Sequence, residues 1–136
     1  MKTLLISSLL FMLMETKTYQ LTIEIKNIPS TKGNLFIGLY QPKNEFPVFG
    51  KQYIGKVIPV SGKTMTYTFK DLPQGDYAFA IYHDENKNGK LDKNMLGVPT
   101  EYYGFSNNAR RTFSAPNFEE SSFDLKKDVK QTIVLK

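Results

Sequence analysis

The chain has 136 residues and is 40% hydrophobic, 23% charged and 13% aromatic, with a formal net charge of +5. That is the size and make-up of one folded domain, not of two domains or of a disordered chain. It has no cysteine and one histidine, which excludes disulfides, thiolate-bound zinc, iron–sulfur clusters and a cysteine nucleophile, and leaves little room for a multi-histidine metal centre.

Lys2 is followed by an apolar run from Leu4 to Met14, interrupted only by Ser7 and Ser8. A positive start and about eleven mainly apolar residues predict a secretory signal peptide over residues 1–18, cut between Thr16 and Tyr19, and an exported protein that is periplasmic or secreted. The run is far shorter than the roughly 20 residues of a spanning helix, so the mature chain is expected to have no membrane span. Loss of Lys2, Lys17 and Glu15 with the leader leaves 16 basic and 12 acidic residues, with Arg110-Arg111 and Lys126-Lys127 the only basic pairs. Nucleic-acid binders concentrate their charge on one face or helix, so no nucleic-acid partner is expected.

Residues 19–136 read as a single domain of strands. Leu21, Ile23 and Ile25 alternate with Thr22, Glu24 and Lys26, the period of a half-buried strand. Pro29 to Gly33 is a turn, and Leu35, Ile37 and Leu39 resume the alternation. Gln41 to Gly50 reads as a loop, and a weaker strand surrounds Ile54, Val57 and Ile58. Met65, Tyr67 and Phe69 alternate with threonines, Asp71–Asp76 reads as a turn, and Tyr77, Phe79 and Ile81 alternate with Ala78, Ala80 and Tyr82. Val129, Ile133 and Leu135 form the last strand. Five to seven short strands without a helical period predict an all-β fold, a single antiparallel β-sandwich of immunoglobulin-like or transthyretin-like type. Lys93 to Phe118 shows neither period and is expected as a long irregular segment, the kind of excursion that carries function.

Asp84-Glu85-Asn86-Lys87-Asn88-Gly89-Lys90-Leu91-Asp92 matches the first half of a calcium loop. Oxygens at alternate positions, here Asp84, Asn86 and Asn88, fold around a hard cation, and Gly89 permits the sharp turn. Lys90 would offer its backbone carbonyl, and Asp92 would act through water. The bidentate glutamate such a loop requires is replaced by Met95, so a further ligand must come from elsewhere, with Glu101 or Asp124 the candidates. The carboxylates of Asp84, Glu85 and Asp92 are matched by Lys87, Lys90 and Lys93, which predicts weak Ca²⁺ binding, with a dissociation constant on the order of 10⁻⁴ to 10⁻³ M. The same residues also suit a metal-free polar turn, and both readings stand at this point.

Asp71-Leu72-Pro73-Gln74-Gly75-Asp76-Tyr77-Ala78, His83-Asp84-Glu85-Asn86, Gly89-Lys90-Leu91-Asp92 and the run from Gly97 to Ala109 together resemble a family of exported bacterial proteins, domain of unknown function 2141. The resemblance covers about residues 19–136. It implies a single β-sandwich behind a signal peptide and brings no activity with it. The Leu-Pro-x-Gly-x-Tyr segment is also similar to transthyretin-like and collagen-adhesin B-type sandwiches.

Two further constellations bear on function. Tyr102, Tyr103, Phe105, Phe113 and Phe118, with Arg110 and Arg111 among them, could form an aromatic and cationic platform for a glycan, a peptide or another cell-envelope component; equally, the aromatics could anchor an irregular segment by burial. His83 beside Asp84, with Glu101, is the nucleus of a hydrolytic alternative, although no Gly-x-Ser-x-Gly element accompanies it. An enzyme would expose His83 in a cleft beside those carboxylates. A binding module would keep His83 packed or bonded locally and open an apolar groove elsewhere, and a purely structural domain would show neither groove nor ion.

Overall fold

A computed structural model describes residues 15–136; the segment read as a leader lies almost entirely outside them. Eight strands follow in order: β1 (Thr18–Lys26), β2 (Asn34–Tyr40), β3 (Ile54–Pro59), β4 (Met65–Pro73), β5 (Gly75–Asp84), β6 (Tyr103–Phe105), β7 (Phe123–Leu125) and β8 (Val129–Val134). A single helical turn, α1 (Phe118–Ser121), precedes β7. Among the described residues no helix is long and apolar enough to cross a membrane.

The strands make two sheets. One has the order β4-β1-β8, with β1 antiparallel to β4 and parallel to β8. The other has the order β3-β2-β5-β6, and β7 continues the edge of β5 that β6 occupies: Ala80–Tyr82 pair with β6, and Gly75–Tyr77 with β7. Alternation along each strand aims one set of side chains between the sheets. Leu21, Ile23 and Ile25 of β1, Leu35, Ile37 and Leu39 of β2, and Phe79 and Ile81 of β5 meet there with Ile133 and Leu135, all at 1% exposure or less. Each such aliphatic side chain contributes about 1.5–3 kcal/mol on burial.

Three sequence expectations change in detail. The turn expected at Asp71–Asp76 is mostly strand, with Gln74 alone between β4 and β5. An extra residue in β4 opposite Tyr19–Leu21, with Asp71 at φ 56°, makes a bulge that lets the ladder continue to Pro73. The segment from Lys93 to Phe118 is not irregular throughout, because β6 and a 3-10 turn at Ser106–Asn108 lie inside it. Three-residue elements are too short to print a period. The alternation in β5 suggested one solvated face, yet Ala78, Ala80 and Tyr82 are buried at 3% or less. Tyr40, Phe46, Phe105 and Phe118 form a second apolar cluster with Ala80 on that outer face.

Two asparagines and a serine fasten this cover. Asn107 and Asn108 both adopt positive φ, 62° and 51°, which asparagine tolerates better than most residues. Asn107 donates to the Ser122 carbonyl at 2.9 Å, and Asn108 accepts from Val134 N–H at 3.0 Å. Ser106, fully buried, accepts from Phe79 N–H at 3.0 Å and donates to the Ser121 carbonyl, so a side chain continues the β5 ladder where β6 ends.

Candidate functional site

β5 delivers His83 and Asp84 to the end of its sheet, and successive residues of a strand face opposite ways. His83 follows Tyr77, Phe79 and Ile81 toward the inside. It is 1% exposed, and its Nε2 donates to the Lys32 carbonyl in the β1–β2 turn at 2.6 Å. Asp84 follows Tyr82 on the outer face and is 5% exposed. The two side chains adjacent in sequence are therefore divided by the sheet. Gly33 explains how that turn closes on the site: a Cβ there would collide with the Asp84 carbonyl oxygen.

The Asp84–Asp92 segment folds onto its own polar atoms. Asp84 Oδ1 accepts from Asn88 N–H at 3.1 Å and Oδ2 from Gly89 N–H at 2.8 Å. Asn86 Oδ1 accepts from Asn88 N–H and Asn88 Oδ1 from Lys90 N–H, local side-chain bonds typical of asparagine turns. The amides of Asn86 and Asn88 donate to the two oxygens of Asp92 at 2.7 and 2.6 Å. Asp92 also ties this loop to the segment after it. Its N–H donates to Glu101 Oε2 at 3.2 Å, and its carbonyl accepts from Thr100 N–H at 2.8 Å.

The electrostatics mark a concentration of negative charge. Burial pushes the Glu101 carboxyl up to about 7, with the proximity of Asp92 and Asp84 adding to the rise. Burial and then the charges of Asp84, Glu101 and Asp92 raise the Tyr82 hydroxyl to about 12. Hydrogen bonds from Asn88 and then Asn86 hold the Asp92 carboxyl below its ordinary range. No ion pair among the described residues involves Asp84, Asp92 or Glu101. The loop oxygens of Asp84, Asn86, Asn88 and Asp92 and the carboxylate of Glu101 thus share one neighbourhood, although no group of three or more His, Asp or Glu side chains among the described residues is gathered as a metal set. Holding a cation would require the Asn86 and Asn88 amides to turn from Asp92 and present oxygen. Asp124 instead pairs with Lys126 at 3.2 Å and lies in β7, opposite Asp76 near the start of β5.

From Asp92 the chain runs into a small hairpin closed by the Lys93–Pro99 bridge, with Asn94 Oδ1 accepting from Leu96 and Val98 N–H at its tip. This hairpin is one wall of a groove of about 650 Å³; Pro47–Phe49 form another wall, Arg111–Ala115 a third, and Ala80, Tyr103 and Phe105 the floor. Leu96 is 88% exposed, Val98 53% and Phe113 99%, an apolar concentration that a soluble surface seldom leaves open. Of the proposed platform residues, Tyr103, Phe105, Phe113 and Arg111 line this groove, whereas Tyr102, Phe118 and Arg110 do not. Arg110 stacks its guanidinium 4.6 Å from the Tyr103 ring centre and donates to the Tyr103 carbonyl, so it holds the floor in place. Leu96 and Val98 escaped sequence reasoning as site residues because isolated apolar residues in an unpatterned segment resemble buried anchors. A second cleft, of about 410 Å³, lies beside Asp84. Its aromatic residues Phe36, Phe49 and Tyr82 pack on one another with ring centres 4.7–5.3 Å apart, which leaves no open aromatic cage.

Residues 23–133 match the model of a family described as an uncharacterized protein conserved in bacteria, DUF2141. The chain belongs to this family. The DUF2141 match runs from β1 to β8 and therefore takes in both sheets, the Asp84–Asp92 loop and the groove. No curated protein and no solved structure matches the chain.

Proposed function

We propose that this chain is an exported, non-enzymatic binding module whose Asp84–Asp92 loop takes Ca²⁺ weakly and steadies one wall of the apolar groove. Export rests on the Lys2 and Leu4–Met14 pattern. The observation that carries the binding reading is the groove itself, concave, apolar and lined by side chains left to solvent, the usual character of a ligand site. The cation reading draws on the uncompensated carboxylates and on Asp92, which joins the loop to the hairpin bearing Leu96 and Val98. The hydrolytic alternative is less well supported, because His83 spends its Nε2 proton on Lys32 and faces away from Asp84.

Thermal melts of the mature domain in EDTA and in Ca²⁺ up to about 10 mM test the first part. At 100 times the dissociation constant the ion adds about 2.7 kcal/mol, so a saturable rise in Tm is expected, and a flat response overturns the cation site. The groove is tested with the neutral fluorophore N-phenyl-1-naphthylamine. Enhanced emission that falls in Phe113→Ser and Leu96→Ser is expected, and emission unchanged from buffer overturns the binding module.

A further inference from the structure

The charge around the groove defines its ligand more closely. The charged residues on its lining are Lys93 and Arg111, and no carboxylate is among them. Arg111 is already matched by Glu120, its Nε 2.8 Å from Oε2, and Glu120 is itself fixed by the capping box of α1 with Asn117. Among the described residues no ion pair involves Lys93. Lys93 is exposed and stands at the base of the hairpin whose Leu96 and Val98 wall the groove. Among the described residues, then, Lys93 is a cation without an ion pair on an apolar groove that Phe113 and the largely buried Phe105 also line.

We propose that the groove binds a single-chain anionic amphiphile, its head group paired with Lys93 and its hydrocarbon chain lying along Leu96, Val98, Phe105 and Phe113. This rests on the binding-module reading and names the ligand class. The volume, about 650 Å³, falls within the roughly 300–1,000 Å³ of small-molecule sites. The Lys93 ammonium provides for one head group. An uncharged ligand would leave Lys93 unused. A cationic one would meet Lys93 with no acid on the lining to offset it.

The test measures the affinities of dodecanoate, dodecanol and dodecylammonium, each below its aggregation concentration, at pH 8 in low salt, by displacement of N-phenyl-1-naphthylamine from the folded domain. Dodecanoate is expected to bind about fivefold more tightly than dodecanol, the upper end for a partly exposed ion pair, and dodecylammonium most weakly. Lys93→Glu should abolish or reverse that order, 0.5 M salt should compress it, and Phe113→Ser should weaken all three ligands alike. Both side chains are exposed, so circular dichroism should show the fold unchanged. Equal affinities for the three overturn the anionic assignment while leaving the groove as a binding site. Displacement by none of them, with the fluorophore still bound, also overturns it, whereas a fluorophore that never binds removes the binding-module reading beneath it. Sedimentation with phosphatidylglycerol vesicles without binding of monomeric dodecanoate would replace this proposal with docking on an anionic bilayer.

Discussion

Replacing Glu101 with glutamine should stabilise the domain at alkaline pH and leave it unchanged under acid conditions. The Glu101 carboxyl is raised from 4.5 to about 7 by burial and by Asp92 and Asp84. A carboxyl whose folded pKa is raised favours the folded state while protonated. That contribution is complete below about pH 4.5 and is lost as pH climbs through 7. Converted at 1.36 kcal/mol per pH unit, the rise corresponds to about 3 kcal/mol. Glu101 is only partly buried, and solvent screening reduces the expected effect to about 1 kcal/mol. Glutamine stays neutral at every pH, and its side-chain oxygen still accepts from Asp92 N–H as Glu101 Oε2 does. Thermal melts in EDTA should therefore show equal Tm values at pH 4.5 and a variant about 3–5 °C higher at pH 8, the shift expected of a domain this size. Asp92 does not confuse the window, since its carboxyl is held below the ordinary range by Asn88 and Asn86 and titrates at lower pH. A Tm difference between the two proteins that stays constant from pH 4.5 to 8 would refute the reasoning.

Other positions report on separate parts of the structure. Ser106→Ala removes the acceptor of the Phe79 N–H and should cost about 1–3 kcal/mol, seen as a lower urea midpoint with the same slope; an unchanged midpoint would contradict the ladder role. Gly33→Ala drives a Cβ into the Asp84 carbonyl oxygen at φ +74°, so a loss above about 2 kcal/mol is expected in the same assay, and a loss under about 0.5 kcal/mol would show that the turn can relax. Asp84→Ala strands the N–H group of Gly89 and leaves that of Asn88 with Asn86 Oδ1 alone. It should lower Tm in EDTA by the equivalent of about 1–2 kcal/mol and abolish any Ca²⁺-dependent rise, and a rise of undiminished size would remove Asp84 from the cation site. Phe113→Ser, at a side chain 99% exposed, should leave stability within about 0.5 kcal/mol while reducing groove binding.

Much of the scaffold is legible in the chain because inward-facing strand residues obey a period of two. Leu21, Ile23 and Ile25 declare a strand and its buried face, and Leu35, Ile37 and Leu39 do the same. The loop after β5 is equally legible, since Asp84, Asn86, Asn88 and Gly89 are spaced for turns that bond their own backbone, and those bonds form. Elements of three residues left no signal. β6 is set by pairing with Ala80–Tyr82, partners more than twenty positions away, and β8 lies parallel to β1 across the length of the chain.

The amino-acid sequence by itself determined the strand-rich domain, its family and the polar loop at Asp84, because hydrophobic periodicity and turn chemistry act over a few neighbouring residues. Tertiary structure alone decided that His83 and Asp84 face opposite sides of a sheet end, that the outer face of β5 is covered, and that Leu96, Val98 and Phe113 converge with Lys93 around one groove. Those outcomes depend on which distant segments meet, and long-range packing sets that.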